Sequence, residues 1–107
     1  MVTYTILMRV IAKSRLKIYW ETPGNEKSQP YLSEWYHFCS KQEWTTPQSI
    51  KDMLRNVSFV ANERIVFNVK GNTYRIICSM DYPRQVMFIK FVGTHKEYDC
   101  VKAVEVE

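Results

Sequence analysis

Residues 63–98, ERIVFNVKGNTYRIICSMDYPRQVMFIKFVGTHKEY, constrain the fold of this chain more than any other stretch. Three apolar segments stand in it: Ile65–Val69, Tyr74–Cys78 and Val86–Val92. Each is short, rich in β-branched and aromatic residues, and bounded by turn formers, which specifies strands rather than helix. Lys70-Gly71-Asn72 reads as a tight hairpin connection, and Asp81-Tyr82-Pro83-Arg84 as a second turn in which Pro83 stops the ladder. A meander of this kind buries one face only when other elements cover it, so the rest of the chain must supply that layer.

Taken in order, residues 5–13 (TILMRVIAK) predict a strand that pairs with the meander, with Arg9 and Lys13 on a wet face. Residues 1–7 read as an addition ahead of a chain start at Met8. Ser14 is positioned to cap a helix through Leu16, Tyr19 and Trp20, ended by Pro23-Gly24-Asn25. Residues 24–29 form a polar loop. Pro30 then suits the first turn of a second helix, whose Leu32, Trp35, Tyr36 and Cys39 recur at i, i+3, i+4 and i+7. The two helices form an antiparallel pair. Thr46 is an N-cap and Pro47 a first helical residue for a short third helix that buries Ile50, Met53 and Leu54 and ends near Asn56. Val57–Val60 is a short strand. In the third meander segment, strict alternation groups Lys90 with Val86, Phe88 and Val92, opposite Met87, Ile89 and Phe91. Thr94 with Glu97 three residues on makes a capping box for a terminal helical turn. The result is a small α+β domain of 107 residues, one domain throughout, with a largely antiparallel sheet.

Charge and cysteine content narrow the function classes. Fifteen Lys and Arg against eleven Asp and Glu give a formal charge of +4, which favours an anionic partner. Cys39, Cys78 and Cys100 lack CxxC spacing, so neither a zinc site nor a disulfide framework is indicated, and a reducing cytoplasm is the simpler setting. No apolar run reaches membrane-spanning length. GxGxxG, Walker and HExxH patterns are absent, which removes dinucleotide, P-loop and zincin readings. No metal ligand set or cofactor motif is evident.

What remains is a basic and aromatic set on the meander and its end: Arg64, Lys70, Arg75, Lys90, His95, Lys96 and Tyr98. Such a set suits a phosphodiester whose own 2′-OH is the nucleophile. The protein then supplies a proton acceptor, a proton donor and cations around the developing phosphorane. Arginine offers a planar fork to two phosphate oxygens, histidine exchanges protons near neutrality, and tyrosine donates a proton or stacks on a base. Each residue also has an ordinary reading. Arg75 can pair with a surface carboxylate, and Lys90 can extend its ammonium to the edge of the sheet. His95 can serve the helix cap, and Tyr98 can be a rim aromatic. Arg64, Lys70 and Lys96 can be solvated charges. His37, beside an apolar helix stripe, reads as structural.

The runs Arg64-Ile65-Val66-Phe67-Asn68-Val69-Lys70-Gly71-Asn72-Thr73-Tyr74-Arg75 and Phe88-Ile89-Lys90-Phe91-Val92-Gly93-Thr94-His95-Lys96-Glu97-Tyr98-Asp99 resemble HigB-type toxins of bacterial type II toxin–antitoxin modules, within the RelE-like superfamily of mRNA interferases. Met8–Ala12 resembles the opening strand of that family, Trp35-Tyr36 sits in its second helix and Ile50-Lys51 lies before its sheet, so the likeness covers roughly residues 8–104.

The resemblance implies a RelE-like fold, with an N-terminal strand and helices packed on the sheet. It implies a ribosome-dependent, metal-independent mRNA endonuclease located in the cytoplasm. Its partners would be the translating ribosome with its mRNA and a HigA-like helix-turn-helix antitoxin, with operator DNA bound only through the antitoxin complex. Carried onto this chain, the catalytic set is Arg75, Lys90, His95 and Tyr98, and the RNA-binding set is Arg64, Lys70 and Lys96. The alternative from another class is a non-catalytic RNA- or ribosome-binding protein, or one that only titrates the antitoxin.

Overall fold

The computed structural model describes residues 7–101. The strands are β1 (Arg9–Ile11), β2 (Ser58–Val60), β3 (Arg64–Val69), β4 (Tyr74–Asp81) and β5 (Val86–Thr94). The α-helices are α1 (Lys13–Glu21), α2 (Gln29–Ser40), α3 (Pro47–Met53) and α4 (His95–Tyr98). The strands form one sheet in the order β1-β5-β4-β3-β2, antiparallel except where β1 runs parallel to β5. The α+β architecture expected from the sequence, with an N-terminal strand and helices packed on a largely antiparallel sheet, is the one found, and the meander is its centre.

The β3–β4 hairpin closes through Lys70 and Gly71, both in the left-handed region at φ 52° and 63°. Two consecutive positive φ values match the twist of the flanking strands, and Gly71 meets that requirement without a Cβ clash. The side chains of Ile65, Phe67, Val69, Tyr74, Ile76, Cys78, Met80, Met87 and Ile89 alternate onto one face, where Leu16, Tyr19 and Trp20 of α1 and Leu32, Trp35 and Cys39 of α2 cover them. Trp35 meets Phe67 edge-on with ring centroids 5.3 Å apart, and Trp44 stacks beside the same ring at 6.4 Å. Fully burying an aliphatic or phenyl side chain contributes about 1.5–3 kcal/mol. This shared face is therefore the main source of stability. Gln85 is buried behind it and ties the Trp44 loop to the second turn. It accepts from Trp44 N–H at 3.1 Å and donates to Trp44 C=O at 2.6 Å.

Several local expectations are corrected. The first strand covers Arg9–Ile11 rather than residues 5–13: Lys13 already belongs to α1, and residues 1–6 lie outside the described region. Ser14 does not cap α1. Extended Ala12 occupies that position without a side-chain bond, which leaves Ser14 inside the first turn. The polar loop at 24–29 contains a 3-10 turn, Glu26–Ser28, whose buried Ser28 hydroxyl donates to Asn25 C=O at 2.6 Å. Helix α3 stops at Met53, and Met53 stays exposed. The Thr46 cap holds, completed by Ser49.

The largest correction lies in β5. Ile77 pairs with Phe91 and Cys78 with Ile89, so Lys90 is the extra residue of a β-bulge. The bulge reverses the side-chain alternation beyond it. Val92 thus packs with Met87 and Ile89 on the core side, while Phe91 joins Phe88 on the opposite face. Lys90 belongs to neither regular row.

Candidate RNA-cleavage site

The face opposite the core carries Arg64 and Asn68 from β3, Arg75 and Ser79 from β4, and Phe88, Phe91 and Gly93 from β5, as the pairing register requires. Helix α4 leaves the end of β5 beside it. Thr94 is its N-cap: the Thr94 hydroxyl accepts from Glu97 N–H at 3.2 Å, and Glu97 Oε1 accepts from Thr94 N–H at 2.8 Å. This is the capping box read from the sequence. Gly93 permits the close approach. A Cβ there would stand 2.7 Å from Phe91 Cζ and 3.0 Å from Glu97 Cβ, so any side chain would push α4 or the Phe91 ring away.

A third support comes from the core. The Tyr19 hydroxyl donates to Glu97 Oε1 at 2.8 Å. Burial, this hydrogen bond and the nearby carboxylate charge push the Tyr19 phenol well above its ordinary range. Burial alone would raise the Glu97 carboxyl. The hydrogen bonds from Thr94 and Tyr19 outweigh it and hold the carboxyl below its ordinary value. His95 N–H donates to Thr73 C=O at 3.3 Å, which fixes the start of α4 to the β3–β4 hairpin.

These anchors place Tyr98 against Arg75. The guanidinium carbon of Arg75 lies 4.6 Å from the Tyr98 ring centroid. Stacking leaves the in-plane N–H groups of the fork available to an anion. Arg75 Nε is buried and has no hydrogen-bond partner among the described residues. His95, three residues before Tyr98 on the same helix, points Nδ1 at Asp99 Oδ2 at 3.1 Å. That contact favours the tautomer with hydrogen on Nδ1 and leaves Nε2 as the proton-accepting nitrogen.

The other sequence-predicted residues occupy separate positions. Lys90 sits at the bulge: its C=O accepts from Arg15 Nη1 at 2.9 Å, and its ammonium lies 5.6 Å from the Phe88 ring centroid. Arg64 shares the face of Arg75 but lies opposite Ser79, four residues along β4. Lys70 turns to the Tyr31 ring at 4.4 Å, over α2 on the core side, beside a groove of about 370 Å³ lined by Tyr31, Trp35 and Asn68 among others. Lys96 is exposed on α4. His37 is exposed on α2, with its ring against Tyr36. Among the described residues no group of His, Cys, Asp and Glu is arranged to hold a metal ion.

Sequence reasoning missed Tyr19, Asp99 and Gly93. Tyr19 reads as one more apolar position of α1, although a hydroxyl in that stripe calls for a buried partner. Asp99 stands four residues after His95, a spacing that predicts their contact once α4 is recognised.

Comparison with known proteins places the chain in a family. A family model described as the RelE-like toxic component of a toxin–antitoxin system, HigB_toxin, matches residues 28–101. The chain is 35% identical over 68 residues to the mRNA interferase toxin HigB of Escherichia coli strain K12. It is equally similar to proteins named mRNA interferase HigB in Escherichia coli O157:H7 and Shigella flexneri. The aligned segment covers 61% of this chain and 64% of each relative, less than two thirds of their length.

Proposed function

The chain belongs to the HigB family of RelE-like toxic components of toxin–antitoxin systems, and on that premise we propose that it is an endoribonuclease that cuts mRNA on the translating ribosome. The observation that carries this reading is the Arg75–Tyr98 stack at 4.6 Å, set next to a histidine oriented by Asp99.

In the proposed reaction the fork of Arg75 binds two oxygens of the scissile phosphate, and the Lys90 ammonium adds charge from the bulge. His95 Nε2 takes the proton of the adjacent 2′-OH. The freed oxygen attacks phosphorus, the bond to the 5′ oxygen breaks, and the Tyr98 hydroxyl protonates that leaving oxygen. The products are a 2′,3′-cyclic phosphate and a 5′-OH. The tyrosinate is reprotonated from the imidazolium through solvent, which resets both groups. Placing charge where the phosphorane develops is the largest contribution the protein makes, and positioned proton transfer adds a factor of about 10²–10⁴. Arg64, Lys70 and Lys96 guide the RNA backbone electrostatically.

The toxin class implies a cognate antitoxin, and we assign that role to a HigA-like helix-turn-helix protein. Operator DNA would be bound through the antitoxin in the complex. Brief induced expression of the wild type beside Arg75→Ala, His95→Ala and Tyr98→Phe tests the reading. Growth arrest by the wild type and relief in the variants support it. Unimpaired growth with intact message in wild-type cells overturns it.

A further inference from the structure

Residues directly opposite one another in a sheet share a face and stand about 4.8 Å apart. The pairing register therefore draws one row across the face opposite the core: Arg64 of β3, Ser79 of β4, Phe88 of β5 and Ile11 of β1. Phe88 is 37% exposed and Ile11 41%, and they are register partners at the β1 end of that row. A phenyl ring in a central strand usually goes to the core, as Phe67 does. Scattered surface apolar residues need no explanation, but this ring is not isolated. The Lys90 ammonium lies 5.6 Å from its centroid, and Arg64 lies two strands away in the same row. Arg9, opposite Val86, is the next outward-facing residue before Ile11 on β1. The carboxylate on this face, Asp81, is occupied by Arg84 at 3.5 Å and by the Arg84 backbone N–H at 3.2 Å.

We propose that Phe88, flanked by Ile11 and Lys90, is a stacking platform for an unpaired nucleobase of the RNA held at Arg75 and Tyr98. The proposal rests on the RNA-cleavage reading and adds a subsite to it. An exposed ring beside several cations fits a ligand that is both planar-apolar and anionic, and a single-stranded nucleotide has both properties. The bulge contributes to the fit. It sets the Lys90 ammonium over the Phe88 ring, 5.6 Å from the centroid, so a base stacked on the other face of the ring would lie next to a fixed cation. Ser79, small and polar, stands between Arg64 and Phe88 in the row. From Ser79 to Arg75 is four residues of β4, about 13 Å at ~3.3 Å per residue. The platform is thus separate from the cleaved bond and acts on a neighbouring nucleotide, where it would set base preference.

The test is mapping of RNA 5′ ends in cells after brief expression of the wild type, Phe88→Leu, Phe88→Tyr and Ile18→Ser. Ile18 is an exposed apolar residue on α1, outside the proposed machinery. Stacking on a base by one aromatic corresponds to about a 5- to 150-fold effect. Cutting by Phe88→Leu is expected to fall by that factor, with a changed base pattern around the remaining cuts. Phe88→Tyr restores both rate and pattern, and Ile18→Ser leaves them as in the wild type. If Phe88→Leu cuts the same positions at the wild-type rate, the platform is overturned while the endonuclease reading stands. If Phe88→Tyr is as deficient as Phe88→Leu, the ring is not acting by stacking and the platform is likewise overturned. If the wild type leaves message uncut, the endonuclease reading and the platform fall together.

Discussion

Replacing Tyr19 by Phe removes one hydroxyl and keeps the ring that packs edge-on against Tyr74 at 6.5 Å. What disappears is the 2.8 Å hydrogen bond to Glu97 Oε1, the contact that links core helix α1 to α4 across 78 residues of sequence. A hydrogen bond to a charged group contributes about 1.5–3 kcal/mol. The lower end applies here, because Glu97 lies at the surface and keeps the Thr94 N–H as a donor. A loss of about 1.5 kcal/mol lowers the Tm of a domain this size by roughly 6 °C or more. The larger effect is expected on catalysis. With one anchor gone, Tyr98 is no longer held on Arg75, and a displacement on the order of 1 Å at a reacting group costs about a hundredfold. Thermal melting of Tyr19→Phe, Glu97→Ala and the double variant gives the stability coupling, and quantified cleavage of a ribosome-bound message gives the activity. A coupling of about 1 kcal/mol with strongly reduced cleavage is the expected result. Additive melting effects with wild-type cleavage would refute the claim that this bond positions α4.

Gly93→Ala places a methyl 2.7 Å from Phe91 Cζ and 3.0 Å from Glu97 Cβ, so overpacking should cost about 1–3 kcal/mol in urea unfolding and weaken cleavage. Acid should destabilise the α4 anchor. The Glu97 carboxyl lies below its ordinary value of 4.5 in the fold, so its contribution is present above that value and is lost as pH falls through the folded one. Melting from pH 6 to 3 should therefore show a steeper decline for the wild type than for Glu97→Gln. At the alkaline end, burial raises the Cys39 and Cys78 thiols and the Tyr19 phenol, so stability is full below their ordinary values and falls as pH rises past about 9. Tyr19→Phe should flatten part of that slope. Arg75→Lys keeps the charge but loses the planar stack on Tyr98, and should lose most cleavage while retaining the wild-type melting point within about 1 °C.

The parts of this molecule that were legible in the sequence are those written in local signals. Alternating β-branched residues marked β3 and β4, the i, i+3, i+4 stripe marked α2, and Thr46-Pro47 and Thr94 with Glu97 marked two helix starts. What depends on distant partners was not legible. The β5 bulge exists because β4 offers Cys78 to Ile89 and Ile77 to Phe91, a register no window of β5 reveals. Strict alternation accordingly placed Phe88 correctly but put Val92 and Phe91, beyond the bulge, on the wrong faces. Within the candidate site, the basic and aromatic residues were readable as a set, but the way they group was not. Arg75 meets Tyr98, whereas Lys70 is drawn to Tyr31 by the geometry of the hairpin. The Tyr19–Glu97 bond escaped because its partners are brought together only by packing α1 over the end of β5.

The central claim is that Arg75, the Tyr98 ring stacked on it and His95 on the same helix cleave mRNA by 2′-OH attack. The most direct measurement is end mapping of cellular mRNA, with end-chemistry determination, after brief expression of the wild type and Arg75→Ala, with translation running and with translation blocked. The account predicts new 5′-OH ends and cyclic or 3′-phosphate ends for the wild type only while translation runs, and none for Arg75→Ala. New ends of the same chemistry and number from Arg75→Ala, or 5′-phosphate ends from the wild type, would contradict it.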